Sequence, residues 1–260
     1  MFNLKGRVAV VTGASAGLGT EIADGLAQQG ANLAILARRR ELLDARAEEF
    51  RKRNVDVLPV VCDVTKQDDV ERAAEIILKE YGKIDIAVNN AGGGKGAKAE
   101  EMPAENWEYT INLSLNGMYH CCRAFGKAML KAGYGRMINI ASMYGLIGNF
   151  CIPSSAYHAA KGGVVNYTRA LAAEWAGRGV TVNAVCPGFF CSEATERLWD
   201  KEFFNEYLNT YSPMHRGGRP GELNSAVAFL AADESSFVNG AILPVDGGMT
   251  CIYSPFICKI

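Results

Sequence analysis

Seven apolar, β-rich runs separated by amphipathic stretches constrain this chain more than any other feature. They read "RVAVVT" from Arg7, "NLAILA" from Asn32, "DVLPVV" from Asp56, "IDIAVNN" from Ile84, "GRMINIAS" from Gly135, "GVTVNAVC" from Gly179 and "AILPVD" from Ala241. None alternates cleanly between apolar and polar residues, as a strand open to water on one face would, so each is expected to be covered on both faces. Between them "GLGTEIADGLAQQG", "RRELLDARAEEFRKR", "QDDVERAAEIILKEYG" and "AYHAAKGGVVNYTRALAAEWAG" carry apolar residues at helical spacing with a polar remainder. Alternating strands and helices joined by right-handed crossovers predict an α/β fold: a doubly wound, seven-stranded parallel sheet with helices on both faces. No linker, repeat or low-complexity segment divides the 260 residues, so one domain spanning 1–260 is expected.

Two segments interrupt the rhythm, residues 91–107 and about 187–220. Both follow strands at their carboxyl ends, where open α/β sheets bind ligands. The second is long and aromatic, and two readings stand equally: a substrate lid, or a helix packing Phe203, Phe204 and Tyr207 inward.

Charge and cysteine usage narrow the function. With 27 basic and 28 acidic residues there is no excess charge to draw a nucleic acid or an anionic membrane, which leaves a small-molecule ligand. The N-terminal "MFNLKGRVAVVTG" lacks the apolar core and cleavage signal of a leader, and no apolar run reaches about 18 residues, so a cytoplasmic location is expected. The eight cysteines include no C-x-x-C pair and are read as reduced packing residues. The three histidines show no zinc-binding spacing, so no metal is expected.

"VVTGASAGLG" runs from an apolar strand into Gly13, Gly17 and Gly19 and then a helical pattern. Glycines permit a tight turn, and the unpaired N–H groups of a helix start suit a pyrophosphate, so this is a candidate nucleotide cradle. At the end of the second strand, where NAD-preferring folds place an acid for the ribose 2′-hydroxyl, the chain has Ala37 followed by Arg38. A guanidinium suits a 2′-phosphate, and a charge-assisted bond of about 1.5–3 kcal/mol would favour NADP(H) roughly tenfold to a hundredfold. NAD(H) remains a possible cofactor, and Arg39 and Arg40 are read as solvated first-turn residues.

"SSAYHAAKGG" places Tyr157 four residues before Lys161 among small side chains. On a helix the two share a face one turn apart, and an ammonium near a phenol favours the phenolate. His158 falls about 100° around the helix and is read as structural.

Together, "TGASAGLG", "NNAG" at 89–92, "INL" around Asn112, "INIAS" ending at Ser142, "YHAAK" and "PG" at 187–188 resemble the short-chain dehydrogenase/reductase family, in order over nearly the whole chain from about Lys5 to Met249. The resemblance implies a catalytic set of Asn112, Ser142, Tyr157 and Lys161. Tyr157 would be the general acid or base, Ser142 would hold the substrate oxygen, and Lys161 would bind the nicotinamide ribose and lower the Tyr157 pKa. Asn112 would anchor a relay water, with Asn116 one turn away as a competitor for that role. It also implies cofactor contacts from Gly13, Ser15, Gly17, Leu18 and Gly19 in the cradle, Arg38, Asp63 and Val64 on the adenine side, and Asn90, Ala91 and Gly92 at the adenine-side ribose. Pro187, Gly188, Phe190 and Ser192 would surround the carboxamide. Ala160 and Ser192 depart from the family's common serine and threonine while keeping small side chains.

For the substrate, "INIASMYG", "PGFF" and the closing segment are similar to the gluconate 5-dehydrogenase-like sugar-acid and polyol oxidoreductases of that family. The competing expectation is a hydroxysteroid, bile acid or other bulky ketone held by Phe150, Ile152, Phe189, Phe190, Trp199 and Met214. A 3-oxoacyl-carrier reductase and a non-catalytic nucleotide-binding regulator are the remaining alternatives. Lys95 and Lys98 could attract a carboxylate or be solvated. The apolar tail, about 248–260, is expected to pack on a neighbouring subunit, in line with the homotetramers common in the family.

Overall fold

In the computed structural model, which describes residues 2–149, 151–191 and 195–252, every expected strand forms. They are β1 (Val8–Thr12), β2 (Asn32–Ala37), β3 (Val57–Val61), β4 (Ile86–Asn89), β5 (Gly135–Ile140), β6 (Val180–Pro187) and β7 (Ile242–Val245). All pair in parallel in the order β3-β2-β1-β4-β5-β6-β7. Among the described residues, nine α-helices accompany them: α1 (Gly17–Gln28), α2 (Arg40–Arg51), α3 (Gln67–Tyr81), α4 (Ala104–Ile111), α5 (Gly117–Ala132), α6 (Ser155–Trp175), α7 (Glu196–Trp199), α8 (Glu202–Tyr211) and α9 (Asn224–Ala231). Among the described residues, no helix is long and apolar enough to cross a membrane.

Successive side chains of each strand enter different cores. In β1, Val8 and Val10 join Phe125, Val164 and Trp175 beneath α3, α5 and α6. Ala9 and Val11 join Ile22, Leu26, Leu43, Phe50 and Val227 beneath α1, α2 and α9. That two-sided burial is why the strands carry no polar face.

Chain direction across the sheet reverses at β1, whose neighbours are β2 and β4, and this leaves a crevice at their carboxyl ends. A buried polar thread fixes α6 relative to that crevice. Asn89 and Asn139 are register partners on β4 and β5. Asn89 Nδ2 donates to Asn139 Oδ1 at 2.9 Å, Asn139 Nδ2 donates to Thr168 Oγ1 at 3.0 Å, and Thr168 donates to the Val164 carbonyl at 2.8 Å. Thr168 lies two turns beyond Lys161 on α6, so the thread sets the height of that helix on the sheet.

Replacing Asn139 by Val should leave Asn89 Nδ2 only its weak sulfur acceptors on Cys122 and Met137, and leave Thr168 only its bond to Val164. Urea denaturation should then show a loss of about 1–3 kcal/mol, the cost of one buried amide left without an oxygen acceptor.

Candidate active site

The carboxyl end of β1 is stitched to that of β4. Thr12 Oγ1 accepts the N–H groups of Asn90 and Ala91, both at 3.0 Å, and Asn90 Nδ2 donates to the Thr12 carbonyl at 2.9 Å. This brings the two loops so close that a Cβ on Gly13 would come 2.9 Å, and one on Gly19 2.5 Å, from Asn90 Nδ2. Gly13 and Gly17 have φ of 69° and 59°, in the left-handed region that glycine alone adopts without strain. At the start of α1, Ala16 supplies no side-chain cap and the first turn holds no acid. The amides of that turn are therefore left for an external anion, with the positive end of the helix dipole behind them. These residues fit a dinucleotide pyrophosphate.

Arg38 follows β2 and is exposed. It is Arg39, however, that leans over the cradle, donating from its guanidinium to Ser15 Oγ at 3.4 Å. Arg40 turns away to Asp44 at 2.7 Å. Arg39 is exposed at the start of α2, as the solvated reading has it, and the contact with Ser15 adds to that reading. Beyond β3, Asp63 Oδ1 accepts from Thr65 N and Thr65 Oγ1 at 3.0 and 2.8 Å, and Val64 is buried against Gly117.

On α6, Tyr157 and Lys161 share a face, with Lys161 Nζ 5.6 Å from the centroid of the phenol ring. Lys161 is 2% exposed and donates to the Ile140 carbonyl at 2.7 Å. Burial lowers its pKa to about 8, the Cys186 thiol works weakly against this, and no acidic side chain of the described residues is among the influences on it. Ser142, at the end of β5, is buried, and its Oγ accepts the Tyr144 N–H at 3.2 Å.

Part of Tyr157 stays open to solvent, yet burial is the largest influence on its hydroxyl and pushes its pKa up to about 12, with a hydrogen bond to Ser142 pulling the other way. Lys161 is not among the influences on this hydroxyl, so in the protein alone desolvation of the phenolate sets the direction of the shift.

Asn112 does not join them. It is exposed at the end of α4, its Oδ1 accepts from Asn116 Nδ2 at 3.3 Å, and the two asparagines line a surface recess with Trp107 and Tyr109. The position that faces Lys161 belongs to Ser114. Between α4 and α5, residues Asn112–Asn116 form a π-helical turn. There the fully buried Ser114 accepts from Gly93 N at 2.9 Å and donates to Gly93 O at 2.6 Å. A Cβ on the adjacent Gly92 would lie 3.2 Å from Lys161 Nζ and 3.4 Å from Ser114 Oγ. Thr110, one turn earlier, accepts from Lys95 N at 3.1 Å, so both hydroxyls staple loop 92–95 against the site. The signal was in the sequence: Thr110, Ser114, Met118, Cys121 and Phe125 form one buried stripe, and Asn112 lies off it.

Around Tyr157 stands an aromatic wall. Tyr144 meets it edge-on at 6.4 Å, and Phe189 meets Tyr144, Phe204 and Tyr207 edge-on at 6.1, 5.0 and 5.7 Å. Phe204 is fully buried, Tyr207 is half-buried and Phe203 is 57% exposed, so α8 packs on the site by one face only. Pro187 and Gly188 close β6 at the same end of the sheet. The Phe190 ring packs into the core beneath α9 and against Gly218, while its backbone continues the segment that leaves β6. His158 stacks on Tyr144 at 4.4 Å, in keeping with a structural role. Lys95 lies over the Tyr109 ring at 5.1 Å, and Lys98 pairs with Glu101 at 3.5 Å. Ser192, Phe150 and the tail from residue 253 lie outside the described residues.

A parallel sheet with an anion cradle at its switch point and a tyrosine-lysine-serine group beside it defines a nicotinamide-dependent oxidoreductase. The family model described as enoyl-(acyl carrier protein) reductase matches residues 13–250, and the chain belongs to the short-chain dehydrogenase/reductase family. It is 37% identical over 250 residues to gluconate 5-dehydrogenase of Gluconobacter oxydans, covering 96% of this chain and 97% of that one. It is 40% identical over 251 residues to galactitol 2-dehydrogenase (L-tagatose-forming) of Cereibacter sphaeroides, covering 96% and 97%. A solved gluconate 5-dehydrogenase from Burkholderia cenocepacia, in complex with NADP and tartrate, superposes with a TM-score of 0.93 at 34% identity over 97% of this chain and 98% of that one.

The buried lysine makes stability depend on pH in a definite direction. Its folded pKa of about 8 lies below the ordinary 10.5, so between these values the unfolded chain holds more protons and stability rises with pH. Compared with Lys161→Met, and without added cofactor, the wild-type protein should gain on the order of 3 kcal/mol from pH 8 to pH 10.5 in urea denaturation. A flat difference across that window would mean that the ammonium is well solvated.

Proposed function

We propose that this protein interconverts a secondary alcohol and a ketone on a sugar acid or polyol, with NADP(H) as the preferred cofactor. The observation that carries the reading is the convergence of Tyr157, Ser142 and Lys161 beside the cradle. A bound nicotinamide supplies or accepts the hydride at the substrate carbon. In reduction, Tyr157 gives its proton to the substrate oxygen while the Ser142 hydroxyl donates a hydrogen bond to that oxygen. The phenolate left behind is stabilised by the Lys161 ammonium, which is charged below about pH 8. Oxidation reverses these transfers. Ser114 takes the supporting place first expected of Asn112, holding loop 92–95 beside Lys161.

The polyhydroxylated substrate class is supported by the names of the relatives and by how the aromatic residues are used. Of the residues expected to wall a bulky apolar ligand, Phe190 has its ring packed on Gly218 and Trp199 is packed on Phe204 at 5.1 Å, so both are engaged within the protein. The cofactor preference is supported by Ala37, which offers no carboxylate, and by Arg38 and Arg39, the latter reaching Ser15. The tail and the homotetramer stay part of this proposal.

Initial rates with NADPH and NADH on 5-ketogluconate, galactitol and a panel of oxo-steroids test the reading. Turnover of the sugar acid or polyol, with kcat reduced about 10²–10⁴-fold in Tyr157→Phe, is expected. Turnover confined to the steroids would overturn the substrate class. Replacing Arg38 and Arg39 together by Ala should lower the NADPH-over-NADH preference about tenfold to a hundredfold. An unchanged ratio would overturn the cofactor assignment.

A further inference from the structure

One asparagine in the loop between β5 and α6 uses all of its hydrogen-bonding capacity. Asn149 Oδ1 accepts the N–H groups of Cys151 and Ile152 at 2.7 and 3.0 Å. Its Nδ2 donates to the hydroxyls of Tyr144 and Tyr207 at 2.7 and 2.8 Å. Because the two backbone donors demand an acceptor, the amide has one orientation, and its two protons fall on the two phenols. Both phenols therefore act as acceptors toward Asn149 and keep their own protons. Asn149 uses neither phenolic proton, so each hydroxyl has one left to donate.

The placement of this group gives it a use. Tyr144 is two residues beyond Ser142 and its ring meets Tyr157 edge-on. Tyr207 belongs to α8, in the segment after β6, and its ring packs against Phe189, which also touches Tyr144. Asn149 thus joins three parts of the chain: the catalytic turn, the loop before α6, and α8. Burial pushes the pKa of both phenols upward, so both remain donors through neutral pH. A phenolic donor in an otherwise aromatic wall favours a ligand that brings a hydroxyl to it over one that brings only carbon.

We propose that Asn149 is a positioning residue that draws α8 onto the catalytic turn and fixes the Tyr144 and Tyr207 hydroxyls as a clasp for a hydroxyl group of the substrate near its reacting carbon. The ligand half rests on the sugar-acid or polyol reading above; the positioning half does not.

The experiment pairs two ketones with two variants of the full chain. Tyr207→Phe keeps the ring and removes the hydroxyl, and Asn149→Ala removes the link. Steady-state kcat and KM are measured with NADPH on 5-ketogluconate and on cyclohexanone, which has no hydroxyl beside its carbonyl. Hydrogen exchange of the α8 amides is followed against those of α3. Both variants are expected to lose about tenfold more kcat/KM on the hydroxylated ketone than on cyclohexanone, mainly through KM. Asn149→Ala is also expected to speed exchange in α8 several-fold while α3 is unchanged. Equal losses on both ketones, or no loss on either, would overturn the clasp. If neither protein nor variant turns over any sugar acid or polyol, the substrate reading fails separately. The positioning role is then judged by exchange alone: faster exchange in α8 upholds it and unchanged exchange overturns it.

Discussion

The hydrogen-bonded thread from Asn89 through Asn139 to Thr168 holds the register on which the site depends. An α-helix lying on a sheet can slide by a turn at modest cost if only apolar side chains hold it, because van der Waals contact is not directional. A buried amide has no such latitude, since a shifted helix would leave it unpaired. With Thr168 pinned to Asn139, Lys161 and Tyr157 reach the carboxyl edge of β5, and Ile140 presents its carbonyl to the lysine. The same strand then ends in Ser142, so both sides of the catalytic group descend from one pair of central strands.

Lys161 is an expensive residue to keep there. It is buried, held by one backbone carbonyl, and its pKa is lowered by that burial. A structural position would be served better by an apolar side chain. A site that must stabilise a transient phenolate has the opposite need: a cation already desolvated acts strongly on a charge that appears beside it. On the cofactor side the chain works mainly with backbone groups. Thr12 brings β1 and β4 together, glycines remove every Cβ that would intrude, and the uncapped start of α1 leaves its amides available.

The segment after β6 combines the two roles that the sequence left open. Phe204 and Leu208 of α8 are core residues, which makes the helix a packed element, while Tyr207 turns a polar hydroxyl toward the catalytic turn. One helix serves both because positions 204 and 208 lie a turn apart on one stripe, and 207 falls at its edge.

What the sequence determined on its own is local or periodic. Apolar runs covered on two faces dictated a parallel sheet, the glycine spacing after β1 dictated a cradle, and the i, i+4 spacing of Tyr157 and Lys161 put both on one face of α6. Tertiary structure alone decided what depends on side chains meeting across long separations or on the phase of an irregular helix. Ser114 rather than Asn112 faces Lys161 because a π-helical turn sits between α4 and α5, although the buried stripe already hinted at it. Arg39 reaches Ser15 across the gap between β1 and β2, and Asn149 finds Tyr207 across 58 residues of sequence. No local pattern encodes such pairs, because each partner's position is set by the packing of a different element onto the sheet.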